Sequence, residues 1–159
     1  AQALREQTDL TVYLQGEETL AQLIQRFREE RDSCLVGTMS LWQGVDVAGE
    51  ACRLVVIDKI PFPRPDDPVS RARSMDVERR GGNGFVSVSL THAALMMAQG
   101  VGRLLRSTDD RGVVAILDPR VVTKRYGSFI MRSLPAMWPT TDPQVVRGAL
   151  RRLAKVSDQ

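Results

Sequence analysis

Apolar residues recur along this chain with two distinct periods. In "EETLAQLIQRFREE" Leu20, Leu23, Ile24 and Phe27 return every three or four positions, the spacing that gathers them on one face of a helix. The preceding "TVYLQG" (11–16) is a β-favouring run closed by a glycine, so the segment predicts a strand and then a helix. Three more short apolar runs, "SCLVGT", "RLVVIDKI" and "GVVAILD", begin after polar residues and end in polar or glycine-containing turns, the pattern of buried parallel strands. Between the last two lies "HAALMMAQGVGRLLRS", helical in its spacing. The β-α-β order, with further β-α pieces around it, predicts an α/β domain with one core.

Two stretches interrupt the pattern. "PFPRPDDP" (61–68) is too proline-rich for a helix or central strand, and "RRGGNG" (79–84) breaks the chain before "FVSVSL". Both predict loops near a working edge. In "TDPQVVRGALRRLAKV" Asp142 is placed to cap a helix and Pro143 to open it, which predicts a terminal helix.

Composition narrows the class. The 159 residues are 43% hydrophobic and 26% charged, ordinary for one globular domain. No apolar run approaches the roughly 20 residues that span a bilayer, and "AQALREQTDL" lacks a signal-peptide layout, so a cytoplasmic protein without membrane contact is expected. Cys34 and Cys52 have neither zinc-site spacing nor the number an iron–sulfur cluster needs, and read as structural thiols. No metal site is predicted. A net charge of +3 and a pI near 9.2 permit contact with nucleic acid without establishing it.

Candidate chemistry concentrates in "QGVGRLLRS" (99–107). At about 100° per residue, Gln99, Arg103 and Arg106 share a stripe roughly 60° wide, opposite Met97, Val101, Leu104 and Leu105 with Ala94 and Ala98. Gly100 and Gly102 flank that stripe. Each costs a helix about 1 kcal/mol against alanine, and each would let a ligand or a second backbone come close. A basic stripe that only solubilises the helix fits the spacing equally well. His92 lies on the same stripe without metal-ligating partners and is given no function.

Taken in order, "GTMSLWQGVDVAGE" (37–50), "IDKIPFPRPDDP" (57–68), "QGVGRLLRSTDDRGVVAILDPR" (99–120) and "KRYGSFIMRSLP" (124–135) resemble the second RecA-like motor domain of DinG/XPD-type superfamily 2 DNA helicases, and within them the bacterial DinG branch. The resemblance covers most of the chain. It implies a RecA-like domain with a mostly parallel central sheet flanked by helices, and makes residues 1–159 a C-terminal piece of a longer protein in which "AQALREQ" is the tail of a helix. "QGVGRLLRS" is similar to helicase motif VI, which implies that Gln99, Arg103 and Arg106 face a nucleotide bound between two motor domains. Arg106 is then the arginine finger, with Arg103 beside it.

"GTMSLWQGVDV" is similar to motif V, the loop that links the nucleotide cleft to the nucleic-acid track. The resemblance implies nucleotide-binding or coupling roles for Asp46, Gln43 and Gly44, and DNA contacts for Thr38, Ser40 and Trp42. Gln43 stands where the family has glutamate. Asp46 also fits a turn residue bonded to its own backbone, and Trp42 fits either stacking on a base or packing under the loop.

The chain has no "GxxxxGK[ST]" phosphate loop and no "DEAH"-like acidic motif. By the resemblance, ATP and Mg²⁺ are held mainly by a first motor domain, to which the family's iron–sulfur cluster also belongs. The expected partners are single-stranded DNA and that N-terminal motor domain. The expected parent is a cytoplasmic, nucleoid-associated, 5′→3′ helicase acting in DNA repair or replication. Two other readings are an ATP-regulated, DinG-like exonuclease and a non-enzymatic nucleic-acid-binding domain.

Overall fold

Four short parallel strands carry the architecture of the computed structural model, which describes residues 1–41, 52–102 and 111–156. A first group comprises α1 (Gln2–Gln7), β1 (Thr11–Leu14), α2 (Leu20–Glu29) and β2 (Ser33–Val36). A second comprises β3 (Leu54–Ile57), α3 (Pro68–Arg79), α4 (Thr91–Val101), β4 (Val113–Ile116), α5 (Arg120–Thr123), α6 (Gly127–Ser133) and α7 (Pro143–Val156). β1 pairs with β2 from Thr11 opposite Ser33 to Leu14 opposite Val36, and β3 with β4 from Leu54 opposite Val113 to Ile57 opposite Ile116. Parallel pairing requires a crossover, supplied by α2 in the first group and by the α3–α4 excursion in the second. The α/β order is the expected one, but among the described residues the strands form two two-stranded sheets rather than one.

Among the described residues the buried side chains of the two groups lie apart. Ile57, Ile60, Leu90, Ala93, Ala94, Met97, Val101 and Ile130 form one buried cluster, all from the second group. In the first group Val12 and Leu23 are buried apart from it. α2 is fixed at its start by reciprocal bonds between Thr19 and Gln22, a capping box that satisfies donors the first turn leaves free.

The strands are less buried than their apolar runs predict. On β3 Ile57 is sealed in the core, whereas Leu54 is 42% and Val56 54% exposed. Alternate side chains point to opposite faces, and the main cluster covers only the face that carries Val55, Ile57, Val114 and Ile116.

Helix α3 is absent from the periodicity reading, and its start corrects the loop expected to run through residue 68. Asp67 accepts a hydrogen bond from the Ser70 N–H at 2.7 Å, and Pro68 opens the first turn, where a missing N–H is harmless. The helix ends within "RRGGNG": Gly81 has φ +79°, and the N–H groups of Gly81 and Gly82 reach the carbonyls of Glu78 and Val77 at 3.0 Å. That is a Schellman stop, and its left-handed residue favours glycine. Gly84 then starts the next helix against α3, where a Cβ would stand 2.9 Å from the Ser74 carbonyl oxygen. "FVSVSL" winds as a π-helical segment, Phe85–Leu90, that runs directly into α4. Asp142 accepts from the Gln144 N–H at 2.8 Å ahead of α7, as its sequence predicts.

Candidate nucleotide and nucleic-acid site

The loop after β2 is organised by a residue the sequence patterns did not single out. Gln15, at the end of β1, bonds through its backbone N–H to the Val36 carbonyl at 2.8 Å. Its side-chain oxygen accepts from the Thr38 N–H at 2.8 Å and the Thr38 hydroxyl at 3.1 Å, and its Nε2 donates to Ser40 Oγ at 2.7 Å. Thr38 and Ser40 hydroxyls lie 3.0 Å apart. Gly37 must be small here, because a Cβ would stand 2.7 Å from Gln15 Oε1 and closer still to the buried Leu41. Of the motif V residues, the structure brings Thr38 and Ser40 together at the carboxyl ends of β1 and β2, where α/β sheets bind ligands. In this geometry Thr38 spends its donors within the loop, and the outward polar edge is Ser40. Trp42, Gln43, Gly44 and Asp46 lie outside the described residues.

The second strand pair ends in a buried acid. Asp118 follows β4 and is 4% exposed. Its carboxylate accepts from the Ile60 N–H and the Arg120 N–H, each at 3.0 Å, and from the Arg120 guanidinium at 2.6 Å. Arg120 and these two backbone N–H groups hold its carboxyl well below the usual carboxylate range, outweighing the effect of burial. The Arg120 guanidinium lies 5.3 Å from the centre of the Phe62 ring, which meets Phe85 and Tyr126 with centroids 5.7 Å away in each case. Asp58, Lys59, Leu117, Asp118, Pro119 and Arg120 line an open cavity of about 360 Å³ at this strand end. The "PFP" loop is therefore tied to the carboxyl end of the β3–β4 pair. The signal in the sequence was "LDPR", a carboxylate directly after an apolar strand with an arginine two residues on.

On α4 the burial follows the predicted faces. Ala93, Ala94, Met97 and Val101 are buried and Ala98 half-buried, while Gln99 and His92 are exposed. Gly100 is buried rather than open to a ligand, and Gly102 caps α4, its N–H reaching the Ala98 carbonyl at 2.8 Å. Arg103 and Arg106 lie outside the described residues. Cys34 and Cys52 are free thiols, both pushed up in pKa by burial, which keeps them protonated. Among the described residues no group of three or more His, Cys, Asp or Glu side chains converges to hold a metal ion, and no helix is long and apolar enough to cross a membrane.

Parallel strands joined by crossover helices define an α/β domain of the RecA-like kind. The chain belongs to the helicase C-terminal domain family, whose model matches residues 1–137. It is 54% identical to the ATP-dependent helicase DinG of Mycobacterium tuberculosis (strain H37Rv) over 97% of its own length, and 46% identical to the ATP-dependent DNA helicase YoaA of Escherichia coli K12 over the same share. It is 40% identical, over 71% of its length, to a Bacillus subtilis protein named 3′-5′ exonuclease DinG. The chain spans 23%, 24% and 12% of these three relatives.

Proposed function

We propose that this chain is the second motor domain of an ATP-dependent DNA helicase, a C-terminal piece that supplies one wall of the ATP cleft and part of a single-stranded DNA track. The observation that carries the reading is the polarity of α4: Gln99 is exposed while Met97, Gly100 and Val101 around it are buried. On this reading Arg103 and Arg106, which lie outside the described residues and follow Gln99 at helical spacing in the sequence, serve the same nucleotide. Arg106 stabilises charge on the transferred γ-phosphoryl group, with Arg103 and Gln99 orienting the nucleotide. A first motor domain holds the phosphates and Mg²⁺. The loop of Thr38, Ser40, Trp42, Gln43, Gly44 and Asp46 couples that cleft to DNA. ATP closes the two domains, hydrolysis opens them, and alternating grips move the strand 5′→3′ in repair or replication-linked work.

In the full-length protein, Arg106→Ala should lower the ATPase kcat by on the order of 10³-fold or more with a smaller effect on DNA binding. Intact turnover with DNA binding abolished would place the stripe on the nucleic acid instead. The isolated chain should not hydrolyse ATP, because it lacks the phosphate loop. The name of the Bacillus relative favours a second reading, a nuclease that ATP regulates. Shortening of a 5′-labelled strand from its 3′ end, without unwinding of a duplex, by the full-length protein would select it.

A further inference from the structure

We infer that the basic face of α7, with the groove it forms against the start of β4, is a second binding surface for a nucleic-acid phosphate backbone, at the end of the strand opposite the Asp118 cavity. The inference rests on the helicase reading above. Arg147, Arg151, Arg152 and Lys155 fall within an arc of roughly 140° on α7, opposite Val146, Ala149, Leu150 and Leu153. All four cations are exposed, the helix contains no carboxylate, and none of the ion pairs among the described residues includes them. Arg111, Gly112 and Val113 from the start of β4 meet Ala149, Arg152, Leu153 and Lys155 around a groove of about 430 Å³. Asp109 and Asp110, next to Arg111 in sequence, lie outside the described residues.

A second observation comes from Gly148, which sits inside the basic arc in the middle of the helix. Glycine is the poorest choice there after proline, and packing does not demand it: a Cβ would meet only the tip of Arg152, at an ordinary 3.6 Å. Among the described residues only the Arg152 guanidinium stands over Gly148, and no acid of the same helix borders it, which suits the close passage of a charged backbone. Cations that pair with no carboxylate among the described residues favour a polyanion, and for a DNA helicase domain the polyanion at hand is DNA.

The test is the salt dependence of DNA binding by the full-length protein, read by fluorescence anisotropy with a labelled deoxythymidine oligonucleotide and with a blunt duplex. Arg152→Gln combined with Lys155→Gln should flatten the slope of log affinity against log salt by about 1.4 on the single strand or about 1.8 on the duplex, at 0.7 or 0.9 per phosphate contact. The substrate that shows the loss identifies which backbone the face holds. Gly148→Leu leaves the charge unchanged and should weaken binding to that substrate at an unaltered slope, without lowering Tm. An unchanged slope on both substrates would overturn the inference and leave the helicase reading standing. A wild-type protein that binds neither substrate would remove both.

Discussion

Asp118 and Ile60 join two chain segments that are far apart in sequence: the carboxylate after β4 accepts the N–H of the loop after β3 at 3.0 Å. The same carboxylate holds Arg120, so one buried acid fixes both the strand-end cavity and the guanidinium beside it. Removing one partner of a buried pair costs roughly 3–5 kcal/mol, and Asp118→Ala should fall near the lower end because Arg120 is 41% exposed. The folded-state pKa of Asp118 lies below its unfolded value of 3.8, so its stabilisation is complete above that pH and is lost as acid takes the pH below it. Asp118→Asn should therefore lower stability at pH 7 while weakening its pH dependence below pH 4, as measured by urea unfolding at a series of pH values.

The two faces of α4 should separate under mutation. Met97 is fully buried, and Met97→Ala should destabilise the protein by roughly 2–5 kcal/mol. Gln99→Ala, on the exposed face, should stay within about 0.5 kcal/mol of wild type and still lower ATP turnover in the full-length protein. Thermal unfolding and ATPase assays on the same pair of variants check both halves.

Gln15 offers a test of loop order without touching the proposed DNA contacts. Gln15→Ala removes the acceptor of two Thr38 donors and the donor to Ser40, at a cost of about 1 kcal/mol in stability for these partly exposed bonds. Its larger effect should be a several-fold weaker affinity for single-stranded DNA, measured by anisotropy.

At the start of α3, Asp67→Ala should cost about 1 kcal/mol through loss of the cap. The hydrogen bonds from Ser70 lower the Asp67 pKa, so this contribution is complete above the ordinary carboxylate range and is lost as the pH falls below it. Chemical denaturation at pH 7 and pH 3 should show a larger difference between wild type and variant at the higher pH.

What was legible in the sequence were the elements whose apolar residues share a face. α2, α4 and α7 announce themselves because each gathers an apolar stripe, buried on α4 and partly buried on α2 and α7, and Thr19 and Asp142 mark where two of them begin. α3 buries no residue, so periodicity is silent there, and its one sign was the Asp67–Pro68 cap that has the same form as Asp142–Pro143. Apolar runs foretold the strands but not their exposure, since a run does not say whether both faces are covered. Gln99, Thr38 and Ser40 could be placed by spacing and resemblance. Gln15 could not, because a single glutamine at a strand end follows no pattern until the fold sets it beside Thr38.

The unequal reach of the two strand pairs sets an order of assembly. Thr11 needs Ser33, which leaves the ribosome soon after it, whereas Leu54 must wait for Val113. At bacterial and eukaryotic synthesis rates that wait lasts about 3–12 s. During it, the greasy side of α4 and the inner residues of β3 have no β4 and no Ile130 to close over them. The N-terminal pair can fold while its successor is still being made, and the later pair is the stretch of nascent chain that chaperones must shield from its neighbours.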